Sequence, residues 1–272
     1  MSLLAAPLEV LYEAPGLPAF DLPAALALDY GGSFGIGEDR VFANFVSSAD
    51  GVTAIPSVAR SNALVAGGSE SDRFVMGLLR ASADAVVIGS GTIKAAPRSL
   101  WNPEQAFPAA STGYAELRSR LHLAPSPELV ILSATGAIDP AHPAFAAGAL
   151  VLTTVPAAAR LRAELPPEAT VVSVSPGPEL DLAAALDALR ERGHRSILSE
   201  GGPRVFGSLL QARLVDELFL TVSPLIFGRT EGEERLGLVE GTDLLPGGPV
   251  AGRLLGVRRD DNHLFLRYAL AE

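Results

Sequence analysis

The chain has 272 residues, of which 48% are apolar and 19% charged, and its formal net charge is −10 at pH 7. This composition is typical of a globular protein with a sizeable core and excludes global disorder. The chain contains no cysteine, which excludes disulfides, thiolate metal sites and cysteine nucleophiles. The negative charge argues against nucleic acid as a partner. Because the four histidines are scattered without an H-x-x-x-H pair, we expect no metal site.

The N-terminal part differs in composition from the rest of the chain. Residues 1–40 are rich in Pro, Gly and Ala, and we predict an N-terminal arm that packs on a single domain of residues 41–272. The first 20 residues contain two glutamates and no basic residue, unlike a signal peptide. The uncharged run 140–159 contains three prolines, which disfavours a transmembrane helix. We therefore expect a cytoplasmic protein without a membrane partner.

From residue 41 onward, apolar β-runs alternate with helical patterns. The predicted strands are Val41–Ser48, Ala85–Gly89, Leu129–Ser133, Ala149–Thr153, Thr170–Val174, Ser196–Ser199 and Glu217–Ser223. The predicted helices are 72–82, Leu182–Arg192 and Val205–Ala212, the first preceded by a capping sequence at Ser69. The pattern favours an α/β fold with a mixed, mostly parallel central sheet flanked by helices.

The C-terminal region changes pattern. Arg253–Arg259 and His263–Leu270 flank a turn, and apolar residues alternate in the second segment, so we predict a C-terminal antiparallel hairpin. Two irregular stretches, Ala96–Pro127 with five prolines and the glycine-rich, acidic Gly228–Gly248, are predicted to be long surface loops.

The first candidate ligand site is the turn Gly89-Ser90-Gly91-Thr92, which follows a buried strand. Backbone N–H groups exposed at such a turn bind anions. A Rossmann dinucleotide fingerprint is disfavoured because Lys94 occupies its sixth position. The alternative is a tight strand exit with no ligand.

Two further turns follow strands. In Glu200-Gly201-Gly202-Pro203, the glycines allow close backbone approach and the proline suits a first helical turn. Glu200 either binds a ligand hydroxyl or amino group, or is a solvated turn residue. The composition of the third segment, Ser47-Ser48-Ala49-Asp50-Gly51, predicts a turn and by itself gives no indication of a ligand.

Four stretches in this order carry a resemblance to a known family: ANFVSSADG (43–51), LLRASADAVVIGSGT (78–92), LSEGGPRVFGSLL (198–210) and LVDELFLTVSPLIFG (214–228). Over roughly residues 40–270, the chain resembles the reductase domain of bacterial riboflavin biosynthesis, the RibD C-terminal family. Its fold is dihydrofolate-reductase-like. The zinc deaminase often fused to this reductase needs cysteine ligands, so the resemblance is to the stand-alone form.

The resemblance implies NADPH as the cofactor. Ser47, Ser48 and Asp50 would border the nicotinamide, and Glu200 would face the nicotinamide or the substrate. Ser133 would contact the adenosine 2′-phosphate. The cofactor phosphates and ribose would be held by Gly89, Ser90, Gly91 and Thr92, and the pyrophosphate by Gly201, Gly202, Pro203, Arg204 and Val205.

The resemblance also indicates substrate residues. Arg80 matches the family's helix arginine, with a surface position as the alternative. Asp72 lies where dihydrofolate reductase binds an aminopyrimidine, or it only offsets the helix dipole. The family's Asp-Asn-Pro segment after Thr92 is absent. Asp50 or Glu200 would lie near the proton source.

The expected function is an NADPH-dependent reductase that transfers hydride to a pyrimidine or pterin. The first candidate substrate is 5-amino-6-(5-phosphoribosylamino)uracil. Dihydrofolate reduction and a non-catalytic NADPH-binding protein are the alternatives. The resemblance also implies a homodimer, formed through the hairpin and the strand Glu217–Ser223.

Overall fold

A single ten-stranded sheet organises the chain in a computed structural model that describes residues 2–270. The strands are β1 (Glu9–Glu13), β2 (Val41–Ser48), β3 (Ala85–Gly89), β4 (Glu128–Ser133), β5 (Leu150–Thr154), β6 (Thr170–Ser175), β7 (Ile197–Ser199), β8 (Glu217–Ser223), β9 (Gly252–Asp260) and β10 (His263–Leu270). Their order in the sheet is β1-β9-β10-β8-β2-β7-β3-β4-β5-β6.

The helices connect these strands. They are α1 (Ala24–Tyr30), α2 (Ser61–Val65), α3 (Glu70–Ala81), α4 (Ser90–Ala95), α5 (Pro103–Ala106), α6 (Ser111–Arg120), α7 (Pro143–Ala146), α8 (Val155–Glu164), α9 (Leu182–Glu191) and α10 (Pro203–Gln211), with short 3₁₀ turns at Pro108–Ala110 and Leu245–Gly247. Within residues 2–270, none of them is both long and apolar enough to span a bilayer.

The fold class predicted from the sequence is confirmed. The seven strands from β8 to β6 in the sheet order are mutually parallel, whereas β10, β9 and β1 add antiparallel pairs at one side. Each predicted strand is present to within one residue at either end, and β9 and β10 form the predicted hairpin.

The two faces of the sheet carry separate cores. On the first face, α3, α4 and α6 contribute buried residues such as Leu78, Ile93 and Leu117. On the second face, α9 and α10 contribute Leu189 and Phe206. The strands are apolar on both sides because helices cover both faces, as in other α/β proteins.

The direction of the chain creates a crevice in the sheet. The connection that leaves β3 begins with α4 on the first face, and the connection that leaves the neighbouring β7 begins with α10 on the second face. The two helices therefore diverge from adjacent strand ends. In open α/β sheets, ligands bind in the crevice that such a reversal opens at the carboxyl ends of the strands.

The prediction of a surface loop for Ala96–Pro127 is wrong. The segment contains α5 and α6, and Tyr114 of α6 is buried with its hydroxyl donating to the Phe74 carbonyl at 2.7 Å. The error arises because Pro103 and Pro108 stand in first helical turns, where proline starts a helix instead of breaking it. The prediction for Gly228–Gly248 is confirmed, since this stretch is irregular and largely exposed.

Within the same segment, Arg118 completes the C-terminal end of α3. Its buried guanidinium donates to the carbonyls of Arg80 at 3.1 Å, Ala83 at 2.8 Å and Ala124 at 2.6 Å. The carbonyls of Arg80 and Ala83 lie at and just after the C-terminal end of α3, so Arg118 ties α6 to that end of the helix.

The N-terminal segment packs on the sheet. β1, which was not predicted, pairs with β9, and Leu26 and Phe34 are buried in the first core. Arg258 of β9 donates to the carbonyls of Tyr30 and Gly31 at 3.0 and 2.9 Å. A division between an arm and one domain at residue 40 stays a prediction.

Candidate active site

The two glycine turns predicted from the sequence meet at the crevice between β3 and β7. Val205, in the first turn of α10, packs against both. A Cβ atom at Gly89 would lie 2.8 Å from Val205 Cγ2, and a Cβ atom at Gly201 would lie 2.7 Å from Val205 Cγ1. Neither position accommodates a side chain without movement of Val205, so close packing of the helix starts requires glycine at both.

Both helix starts have backbone N–H groups without a side-chain cap. Gly89 is the N-cap of α4 and Gly202 is the N-cap of α10, with Pro203 in the first turn. Uncapped first-turn N–H groups, together with the helix dipole, favour a bound anion. Ser90, Gly91 and Thr92 lie on α4, and a Cβ atom at Gly202 would lie 3.5 Å from Thr92 Oγ1.

The third turn borders a different wall of the crevice. Ser199, at the end of β7, is level with Ala43 of β2, so Ser47 and Ser48 lie further along β2, opposite Val222 and Ser223 of β8. Both serine side chains are buried. This turn is therefore set apart from the two glycine turns along the strand direction.

Asp50 is occupied in holding this turn. Its carboxylate accepts hydrogen bonds from the Ser48 hydroxyl and from the N–H groups of Gly228 at 2.8 Å and Phe227 at 3.2 Å. The Ser48 hydroxyl, followed by these backbone N–H groups, lowers the pKa of Asp50 below its ordinary value. Asp50 is therefore a charged anchor for the segment after β8, an arrangement that disfavours it as a proton donor.

Arg80 and Glu200 form a buried ion pair with each other. Arg80 Nε donates to Glu200 Oε1 at 2.8 Å, and Nη2 donates to Oε2 at 2.6 Å. The side chains are only 6% and 9% exposed, so the alternatives of a surface arginine and a solvated glutamate are wrong. Arg80 Nη1 also lies 3.3 Å from the Asn102 carbonyl. The two residues thus neutralise each other instead of standing free for a ligand.

Asp72 lies in a different environment from Asp50 and Glu200. It is partly buried in the first turn of α3, where its N–H donates to Ser69 Oγ at 3.1 Å. Burial raises the pKa of Asp72, and the Glu200 charge raises it further, while a hydrogen bond from Thr221 and the charges of His263 and Arg73 oppose this. Asp72 therefore holds a proton more readily than Asp50 does.

Ser133 and Arg204 lie at opposite ends of the crevice. Ser133 is buried next to the strand end of Gly89, and its hydroxyl accepts the Gly136 N–H at 3.0 Å. Arg204 is exposed, with Nη2 4.0 Å from the Glu234 carboxylate in the acidic segment after β8.

Sequence reasoning missed two basic residues near this site. Arg160 of α8 donates from Nη2 to the carbonyls of Thr135 and Gly136 at 3.0 and 2.9 Å, beside the Ser133 turn. His263 of β10 has Nε2 3.0 Å from the carbonyl oxygen of Ala66, shortly before α3. No local sequence pattern reveals either, because their neighbours are distant in the chain. Within residues 2–270, no three histidine or acidic side chains come together as a metal site.

Comparison with known proteins identifies similar sequences and structures. The family model described as the RibD C-terminal domain matches residues 39–265. A relative from Archaeoglobus fulgidus, named 2,5-diamino-6-ribosylamino-4(3H)-pyrimidinone 5′-phosphate reductase, is 26% identical over 196 residues, covering 69% of this chain and 81% of that protein.

The similar solved structures include the following two. A pyrimidine reductase-like protein from Corynebacterium diphtheriae has a TM-score of 0.64 and 25% identity, over 86% of this chain and 92% of that chain. A diaminohydroxyphosphoribosylaminopyrimidine deaminase/5-amino-6-(5-phosphoribosylamino)uracil reductase from Thermotoga maritima has a TM-score of 0.62 and 23% identity, over 86% of this chain and 57% of that chain. At 23% identity, the similarity to the Thermotoga maritima protein shows a shared fold and nothing further.

The hydrogen bonds of Asp50 predict an acid-dependent loss of stability. Because the folded-state pKa is lowered, the stabilisation is complete above the unfolded value of about 4 and is lost as pH falls through the folded value. We expect Asp50→Asn to lower the melting temperature at pH 7, and the difference from wild type to shrink towards pH 3. Thermal melts between pH 3 and 8 measure this difference in melting temperature. An unchanged difference over this range would show that the charge of Asp50 does not matter.

Proposed function

The chain belongs to the RibD C-terminal domain family, and from this premise we propose that it is an NADPH-dependent reductase of riboflavin biosynthesis. Membership in this reductase family makes the chain an oxidoreductase. The proposed substrate is a phosphoribosylamino-pyrimidinone, the class in the name of the archaeal relative, which specifies the 2,5-diamino compound. 5-Amino-6-(5-phosphoribosylamino)uracil is the first candidate within this class. The observation that carries the proposal is the crevice where both glycine turns meet beside the Arg80–Glu200 pair.

The residues at the crevice fit a dinucleotide. Gly89 and Gly201 let the two helix starts pack closely around Val205, and the uncapped starts of α4 and α10 offer N–H groups to a pyrophosphate. This explains how a chain with a charge of −10 can hold a phosphorylated cofactor, because backbone dipoles supply the local positive potential. When bound, the nicotinamide supplies the hydride, and the protein contributes position and exclusion of water.

NADPH is proposed over NADH on the basis of the turn after β4. Arg160 donates from Nη2 to the carbonyls of Thr135 and Gly136 and from Nη1 to the exposed Glu164 at 2.8 Å, which places a guanidinium beside Ser133. A guanidinium is well suited to a 2′-phosphate. Since the Ser133 hydroxyl accepts the Gly136 N–H, we assign Ser133 to shaping this turn and Arg160 to the charge.

The three acids then divide their roles. Asp50 anchors a turn, and Glu200 is paired with Arg80. Asp72, whose pKa burial raises, is proposed to contact the pyrimidine and to hold or deliver the proton that follows the hydride. A group with a pKa closer to neutral is the more effective acid. We assign Arg80 the role of holding Glu200 in place, and not a direct contact with the substrate phosphate.

A pterin substrate is the second candidate. Asp72 favours it equally, because a carboxylate can pair with the N–H groups of an aminopyrimidine in either molecule. A cofactor-binding protein without catalysis is the third. A single set of assays distinguishes the pyrimidinone reductase, the pterin reductase and the non-catalytic cofactor-binding protein.

Substitution of Gly202 tests the cofactor site. The backbone here is extended (φ −65°, ψ 175°) and a Cβ atom meets only Thr92 Oγ1 at ordinary contact distance, so Gly202→Ala is the matched control. We expect Gly202→Ala to bind NADPH within about threefold of wild type. Gly202→Asp places a like charge next to the pyrophosphate and should weaken binding at least about 100-fold. Fluorescence titration with NADPH and NADH measures the dissociation constants of wild type and both variants. Normal NADPH binding by a folded Gly202→Asp protein would remove the glycine turn from the proposal.

NADPH consumption with both substrate classes tests the function. We expect turnover with the phosphoribosylamino-pyrimidinone, and about a 100-fold lower kcat/KM in Asp72→Asn with near-normal NADPH affinity, as expected for loss of an acid. Glu70→Gln, an exposed acid in the same helical turn, is the control and should retain activity. Turnover of dihydrofolate alone would establish the pterin reductase, and binding without any turnover would establish the non-catalytic protein.

A homodimer is also proposed. On the second face of the sheet, Leu264 is 36% exposed, and its neighbours Leu220, Leu266 and Tyr268 are only partly buried. This apolar strip lies on β8 and β10, where a second copy would cover it. Sedimentation velocity at micromolar concentration should give twice the 28.2 kDa of the chain, and a single 28.2-kDa species would contradict the dimer. The cytoplasmic location stays a prediction.

A further inference from the structure

His142 is a buried histidine with a hydrogen-bond partner at each ring nitrogen. The residue is the N-cap of α7 and is only 6% exposed. Nδ1 accepts the Ala144 N–H at 3.2 Å, and Nε2 lies 3.1 Å from the Ala96 carbonyl oxygen. An amide N–H only donates and a carbonyl only accepts, so the imidazole is neutral and carries its proton on Nε2.

The bond to Ala96 joins the connections that leave two neighbouring strands. Ala96 directly follows α4 in the connection after β3, whereas His142 belongs to the connection between β4 and β5. β3 and β4 are parallel, with Gly89 opposite Leu132, so the two connections start side by side. The His142–Ala96 hydrogen bond ties them together again beyond these starts.

His142 also contacts the segment that follows Ala96. The Ala96 carbonyl accepts the Ser99 N–H at 3.0 Å as well, which closes a turn. Trp101, 3% exposed, has φ 55°, a left-handed conformation that is uncommon for residues other than glycine. Such a backbone persists only where its surroundings hold it. The ring centroid of Trp101 lies 6.2 Å from that of His142, so His142 is part of these surroundings.

We propose that His142 is a positioning residue for the cofactor, because it fixes the separation between the connection after β3 and the connection after β4. In the proposed function, the first connection carries Thr92 and the second carries the Ser133 turn with its Arg160 guanidinium. The inference rests on that function for the identity of the ligand. A cofactor that spans both connections gains from its 2′-phosphate only when their separation is preorganised. NADH lacks this phosphate, so its binding depends less on the separation.

Two variants distinguish this role from a purely structural one. Asparagine is a favoured N-cap residue, so His142→Asn keeps an acceptor for the Ala144 N–H but is too short to reach Ala96. Glutamine can place an N–H donor where Nε2 lies, so His142→Gln keeps the bond to Ala96 and loses the cap. If His142 only stabilised α7, His142→Gln would have the larger effect on cofactor binding.

The preference for NADPH over NADH, measured by fluorescence titration with both cofactors, tests the positioning role. We expect this preference to fall about fivefold in His142→Asn, the factor that corresponds to one hydrogen bond. It should stay within about twofold of wild type in His142→Gln. Thermal melts establish that both variants are folded at the temperature of the titration. An unchanged preference in His142→Asn, or a larger change in His142→Gln, would overturn the proposal.

Quenching of Trp101 fluorescence by acrylamide tests the His142–Ala96 bond without a cofactor. Trp101 is the only tryptophan of the chain, so the whole signal arises beside His142. We expect the quenching constant to rise at least about twofold in His142→Asn and to stay near the wild-type value in His142→Gln. Equal quenching in wild type and His142→Asn would refute the structural part of the proposal. A wild type without a preference for NADPH would refute the proposed cofactor, while quenching would still decide whether His142 holds the segment after Ala96.

Discussion

The buried ion pair between Arg80 and Glu200 is the interaction on which the candidate site depends. It joins α3, on one face of the sheet, to the residue that precedes Gly201 and Gly202 at the end of β7. Removal of either partner would leave an unpaired charge in a buried place, which costs several kcal/mol. The bidentate geometry also fixes the helix that carries Asp72 relative to the proposed cofactor turn.

The pair decides the chemistry of its neighbours as well. Glu200 is paired with Arg80, the Ser48 hydroxyl and backbone N–H groups lower the pKa of Asp50, and burial raises the pKa of Asp72. Three carboxylates that look equivalent in the sequence therefore have different environments. Such differences in environment assign acid and base roles within active sites.

The topology of the sheet explains why the glycines are needed. The chain builds β3 to β6 with helices on one face, returns through α9 and places β7 beside β3, so α4 and α10 start side by side and diverge. Val205 fills the space between the two starts, which leaves no room for a Cβ atom at Gly89 or Gly201. The same packing that joins the two halves of the sheet exposes the N–H groups proposed to bind phosphate.

Local sequence patterns determined every strand except β1, the hairpin and both glycine turns, because alternation, helix caps and glycine act over a few neighbouring residues. They failed for the segment 96–127, where prolines at helix starts resemble loop prolines. Only the tertiary structure decided that Arg80 pairs with Glu200, 120 positions away, and that the hairpin turn docks on the residues around the start of α3. The state of a charged group depends on burial and on the nearest opposite charge, and both are set by contacts between distant parts of the chain.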